Sequence, residues 1–164
     1  FRVMNRNGMR YMWKFFLFLI INFLALGIGS WLMGNPATNE WYNGLNKAPW
    51  TPPGWVFGAA WFTVMFCFAV YMFKGASLFP AEKLNMLYVL FAVQFVLNVL
   101  WNPIFFRWHF VAPGLIIISL LAIVMVIMLV FGKNQMGWNT LWVLPYVLWL
   151  CIATSLNAYV LFKN

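Results

Sequence analysis

The stretch LNMLYVLFAVQFVLNVLWNPIFFRWHFVAPGLIIISLLAIVMVIMLVF, residues 84–131, decides the fold. One apolar helix crosses the hydrocarbon of a bilayer in about 20 residues. This stretch is more than twice that long, and its single formal charge is Arg107. Arg107, Trp108, His109 and Pro113 are the only interruption, so residues 84–131 read as two spanning helices joined by a tight hairpin.

Working outward, three further apolar stretches have spanning length. The expected helices are about 15–33, 55–73, 84–106, 111–131 and 140–162, with a long loop at 35–54. The first could be a signal peptide, but its apolar core exceeds the usual 7–15 residues and no small-residue cleavage site follows, so it reads as a helix. The chain is 65% hydrophobic and 7% charged, whereas soluble domains run near 45–50% and 25%. The expected fold class is therefore all-α and membrane-embedded: residues 1–164 form a single five-transmembrane-helix bundle with almost no mass outside the bilayer.

Ten Lys or Arg face two acids, Glu40 and Glu82. The basic residues lie at span ends and in short loops, where they anchor topology and meet lipid headgroups, so nucleic acid is not an expected partner. Arg2, Arg6, Arg10, Lys14, Lys74, Lys83 and Lys133 fall on one side; Lys47, Arg107 and Lys163 fall on the other. The positive-inside rule then puts the N-terminus on the cytoplasmic side and the C-terminus opposite. Arg2, Arg6, Arg10 and Lys14 also share one side of a helix, which suits either a headgroup stripe or a solvated extension. Cys67 and Cys151 lie inside spans and read as small hydrophobes.

The 35–54 loop is rich in rings and proline (Trp41, Tyr42, Trp50; Pro36, Pro49, Pro52, Pro53). Disordered linkers are poor in aromatics, so the loop is expected to be ordered and to form a lid over the bundle mouth. Inside the spans, Gln94, Asn98 and Asn102 recur every four residues as a polar ladder flanked by Phe91, Phe95, Trp101 and Phe105. The fifth span stacks Trp142, Tyr146, Trp149, Ala153 and Leu156 on one face with Asn157 beside them, and the second offers Phe57 and Trp61. Such amides serve widely as interhelical glue, and Trp and Tyr as interfacial belts. Together, on three helices, they predict an apolar, flat-walled cavity between the second, third and fifth spans. Pro103 and Pro145 are expected to bend helices and open space. The fourth span, with Ser119 as its only polar side chain, reads as facing lipid or another subunit.

Catalytic constellations are missing. His109 is the only histidine, both acids lie outside the spans, and no metal cluster or phosphate loop is present. No metal site and no covalent cofactor are expected.

Trp41-Tyr42-x-x-Leu45-x-Lys47-x-Pro49-Trp50-x-Pro52-Pro53, followed by Phe57 and Trp61, resembles the signature loop and second helix of the TspO/MBR family. These are the tryptophan-rich sensory proteins, called translocator protein or peripheral benzodiazepine receptor in animals. Asn98-x-x-Trp101-Asn102-Pro103-x-Phe105-Phe106 is similar to the family's third-helix pattern, and Pro145-Tyr146-x-x-Trp149 with Ala153-Thr154-x-Leu156-Asn157 to its fifth.

The resemblance implies a pocket for porphyrins such as protoporphyrin IX, and for isoquinoline carboxamides and benzodiazepines. It implies a binding set of Tyr42, Trp50, Phe57, Trp61, Asn98, Trp101, Trp149 and Ala153. Lys47 could meet a propionate, and rings from Trp50, Trp149 and Phe57 could stack on the macrocycle. The role implied is a sensor or carrier. One alternative is light- and oxygen-dependent porphyrin breakdown, with Trp50 and Trp149 as the catalytic candidates; another is a structural scaffold. Leu156-x-x-Tyr159-x-x-x-Lys163 echoes the family's sterol motif. A homodimer is a further implied partner state, although the small-xxx-small seam of some bacterial members departs here, with Val96 four residues after Ala92.

Overall fold

A computed structural model describes residues 6–164, with side chains described from Tyr11 onward. Five long helices account for most of it: α1 (Arg6–Met33), α3 (Gly54–Leu78), α4 (Ala81–Asn102), α5 (Val111–Met136) and α6 (Leu144–Lys163). A short α2 (Glu40–Gly44) lies within the first loop. The shortest long helix, α6, has 20 residues, about 30 Å of rise and enough to cross the hydrocarbon. The chain is an integral membrane protein. Four stretches have spanning length and hydropathy, the last of which, Val111–Lys163, contains both α5 and α6. Of the expected N-terminal basic stripe, Arg2 lies outside the described residues, as do the side chains of Arg6 and Arg10.

The helix ends follow local chemistry. Gly34 ends α1 with φ 77°, a backbone that costs a glycine nothing. Pro53 and Pro80 immediately precede α3 and α4. Pro103 lies at the end of α4, not at mid-span. It begins a π-helical turn, Pro103–Arg107, closed by Trp108 N–H donating to the Pro103 carbonyl at 2.9 Å. Pro145 lies in the first turn of α6, where its missing N–H leaves no bond unmade. The expected fifth helix therefore starts later, at Leu144, after a 3₁₀ stretch Gly137–Val143. That stretch takes Trp142 off the inner face, and the ring is exposed.

α1 packs on α3 and α4, and α5 packs on α4 and α6. α5 buries Gly114, Ile118, Leu121, Met125, Met128, Gly132 and Met136, steps of three and four that mark one face. Ile116, Leu120, Ile123, Ile127 and Val130 are exposed on its other side. The fourth span is thus half core and half outward-facing. Polar side chains tie the helices together. Asn22 Nδ2 donates to the Met65 carbonyl at 3.0 Å, Tyr71 Oη to the Met128 carbonyl at 2.6 Å, and Tyr146 Oη to Gln94 Oε1 at 3.2 Å. Such bonds in membranes contribute about 0.6–2 kcal/mol each.

Candidate functional site

At the end of the bundle where α1 finishes and α3 begins lies a cavity of about 530 Å³, within the range of roughly 300–1,000 Å³ for small-molecule pockets. Its walls are α1 (Leu26, Ser30, Met33), α3 (Gly54, Phe57, Gly58, Trp61) and α4 (Asn98, Trp101, Asn102), with Phe106 from the π-turn. The first loop adds Pro36, Ala37, Tyr42, Asn43, Lys47, Thr51 and Pro52 to the lining. A chamber of about 30 Å³ shares Tyr42, Lys47, Thr51, Phe57, Trp101 and Phe106, and adds Ala153, Leu156 and Asn157 from α6. The main space is therefore bounded by the first, second and third spans. The fifth, expected as a wall, reaches only the side chamber.

The loop is ordered by specific bonds. Asn35 Oδ1 accepts from Ala37 N–H at 3.0 Å, and Asn39 Oδ1 accepts from Tyr42 N–H at 3.0 Å, starting α2. Those side chains satisfy backbone donors that helix starts leave free. Asn39 Nδ2 also donates to the Phe106 carbonyl at 3.0 Å, and Trp41 stacks on His109 with centroids 4.2 Å apart. The second half of the loop is held to α6. Asn46 N–H donates to Asn164 Oδ1 at 2.7 Å, and Trp50 Nε1 donates to Ser155 Oγ at 3.1 Å.

Six of the nine expected ligand residues line the main cavity: Tyr42, Lys47, Phe57, Trp61, Asn98 and Trp101. Ala153 lines the side chamber. Trp149 is buried behind this wall, edge-on to Phe57 at 5.4 Å and to Trp61 at 6.4 Å. Trp50 is outside the linings of both spaces, 54% exposed, with its ring edge-on to Tyr159 at 5.4 Å. The polar ladder divides. Gln94 is held in the core by Tyr146, whereas Asn98 and Asn102 line the cavity, and Asn102 Nδ2 donates to the Asn98 carbonyl at 2.9 Å. Of the sterol-motif positions, Leu156 faces the chamber, Tyr159 underlies Trp50, and Lys163 ends α6 exposed.

Charge is concentrated at the loop. Lys47 Nζ lies 4.1 Å from the centre of the Tyr42 ring and 3.5 Å from Asn43 Oδ1, so the ammonium is oriented by a cation–π contact. Burial pushes the Tyr42 phenol above its ordinary range, which leaves it a neutral O–H at physiological pH. Around the rest of the cavity the walls offer aromatic faces, two carboxamides and no carboxylate. This suits noncovalent capture of a flat, apolar molecule with an anionic edge. No group of three or more His, Cys, Asp or Glu positioned to hold a metal occurs among the described residues.

The α1 wall and the glycines Gly54 and Gly58 were absent from the sequence reading. The signal existed in Ser30, a polar residue in an apolar span, and in the fourfold Gly54–Gly58 spacing beside Phe57 and Trp61. A Cβ built on either glycine meets nothing within 4 Å.

A family profile described as TspO/MBR family matches residues 18–162. The chain is 32% identical over 152 residues to the tryptophan-rich sensory protein of Cereibacter sphaeroides, covering 85% of this chain and 87% of that protein. It is 34% identical over 123 residues to protein CrtK of Rhodobacter capsulatus, covering 71% and 74%. It is 30% identical over 121 residues to the translocator protein of Homo sapiens, covering 72% and 71%.

Proposed function

This chain belongs to the TspO/MBR family, and from that premise we propose that it is a membrane receptor or carrier for porphyrins of the protoporphyrin IX type. The observation that carries this reading is the 530 Å³ cavity walled by Phe57, Trp61, Trp101 and Phe106, with Lys47 beside it. A porphyrin is a broad π-system with carboxylates on one edge. Its macrocycle would lie against the rings in offset or edge-on contact, while a propionate meets the Lys47 ammonium at the mouth. The 35–53 loop acts as the lid. By the distribution of basic residues, the cavity end faces away from the cytoplasm or its equivalent and the N-terminus faces toward it.

Titration of the detergent-solubilised protein with protoporphyrin IX should saturate. Trp101→Ala should raise the Kd about tenfold, the expected cost of losing one stacked indole and its buried area. Trp50→Ala should change it less than Trp101→Ala, since Trp50 is away from the cavity. Lys47→Gln should weaken protoporphyrin IX about fivefold, a typical loss for one partly shielded charge contact, yet leave its dimethyl ester unaffected. Equal weakening of acid and ester would remove the propionate contact.

A second reading rests on Trp149. Its indole is 6.4 Å from Trp61, which itself lines the cavity, so the two indoles could pass an electron to a photoexcited porphyrin, which hands it to oxygen, and the superoxide formed then oxidises the macrocycle. Protein-dependent bleaching of the Soret band under light and oxygen, lost in Trp149→Phe, is the expected signature. Sterol binding along Leu156, Tyr159 and Lys163 is a lesser proposal, checked by competition with a labelled sterol.

A further inference from the structure

A second recess, of about 300 Å³, lies behind the main cavity at the corner between α1 and the π-turn. Trp31, Leu32, Met33, Phe106, Arg107 and His109 are among the residues that line it. Met33 and Phe106 also line the main cavity, so the two spaces share a wall. The first belongs to the loop-lined interior, and the second is more open.

We propose that this recess holds the phosphate-bearing headgroup of a phospholipid from the surrounding leaflet. Three observations carry the assignment. The recess sits where α1 ends at Met33 and α4 gives way to the turn, which is the headgroup level of a bilayer-spanning bundle. It has two sides of opposite character, a cationic one from Arg107 with the His109 ring beside it and an apolar one from Trp31 and Leu32. Trp31 is 78% exposed, an amphipathic ring of the kind that sits at the boundary between headgroups and acyl chains. Of the chain's two carboxylates, Glu82 lies at the far end of α4, and Glu40 is exposed outside the recess lining.

The geometry fits a phosphodiester in particular. A guanidinium presents parallel N–H donors that match two phosphate oxygens, and it is weakly hydrated enough to work at an interface. His109 adds a ring N–H and is held in place by an unusual backbone. Its φ is 58°, a left-handed conformation that non-glycine residues seldom adopt, and its imidazole is stacked on Trp41. The volume suits a headgroup alone, leaving the chains to run down the exposed face of α1. The site is independent of the porphyrin reading, since neither Arg107 nor His109 lines the main cavity.

Native mass spectrometry of the full chain from mixed micelles tests this directly. Micelles containing dioleoylphosphatidylglycerol should leave one tightly retained lipid on the protein. Arg107→Gln should reduce that occupancy about fivefold, the scale of one interfacial basic residue, with Arg107→Lys intermediate and Lys133→Gln, at the opposite end of the bundle, without effect. Dioleoylglycerol, which lacks the phosphate, should not be retained. Equal retention by Arg107→Gln and the parent chain overturns the proposal. So does displacement of the lipid by millimolar glycerol 1-phosphate, which would make the recess a site for free anions. A normal thermal midpoint for Arg107→Gln shows that any loss is not unfolding.

Discussion

Replacing Gly58 with tryptophan is expected to abolish high-affinity porphyrin binding without weakening the fold. Gly58 lines the main cavity, and a Cβ built on it has open space on every side. The new indole would therefore project into the volume the macrocycle needs rather than into a neighbouring helix. Expelling it or distorting the wall costs about 2–3 kcal/mol, so the Kd should rise on the order of 100-fold. Stability should be unchanged or slightly better, because glycine inside a helix is worse than alanine by about 0.5–1 kcal/mol. Spectroscopic titration and thermal unfolding of the same sample check both halves. An unaltered Kd would place the porphyrin elsewhere on the protein.

The opposite outcome is expected at Gly132, where function is remote and packing is tight. A Cβ there falls 2.6 Å from Thr140 Oγ1 and 2.7 Å from Tyr71 Oη. Neither atom is free to yield. Thr140 Oγ1 donates to the Leu129 carbonyl at 3.0 Å and Tyr71 Oη to the Met128 carbonyl at 2.6 Å. Gly132→Val should break both bonds and overpack the α3–α5 contact, a loss of about 3 kcal/mol. The thermal midpoint in detergent should drop by several degrees. Gly132→Ala should cost less in a Thr140→Ala background than in the parent chain, since one of the two obstructions is then gone. Strict additivity would show that the clash is relieved some other way.

A third change probes the loop. Trp50 and Asn46 hold its second half to α6, so Ser155→Ala should loosen one attachment, since Trp50 Nε1 then loses its acceptor. Porphyrin association and dissociation, followed by stopped-flow quenching, should both quicken by about two- to fivefold, the effect of losing one hydrogen bond of about 0.5–1 kcal/mol. The ratio of the two rates should barely move. Unchanged rates would mean that ligands bypass the loop.

Much of the site was legible because its residues carry individual signatures. Asn98 and Asn102 are amides inside an apolar span, Phe57 and Trp61 are rings one turn apart, and Lys47 is a lone cation in a proline-rich loop. Trp50 shares the ring signature yet lies on the outer side of α6, because its indole N–H found Ser155. Trp149 shares a face with Ala153 but stands one ring behind the wall. The α1 residues had almost no signature. Leu26 and Met33 look like any lipid-facing side chain, and they become walls only through the way α1 leans on α3 and α4.

By itself, the sequence determined that the chain lives in a bilayer, where its helices lie to within about five residues except for the start of α1, at Arg6 and not near 15, and which side chains are too polar to face lipid. Those properties are local: transfer free energy is a sum over residues, and helix ends answer to proline, glycine and charge nearby. Tertiary structure alone decided which three helices enclose the cavity, that Gln94 belongs to the core while Asn98 belongs to the site, and that Trp50 fastens the loop. Those outcomes depend on how far each helix is rotated and how closely it approaches its neighbours. Helix rotation and approach are set by many weak contacts distributed over all five spans, and no single segment carries them.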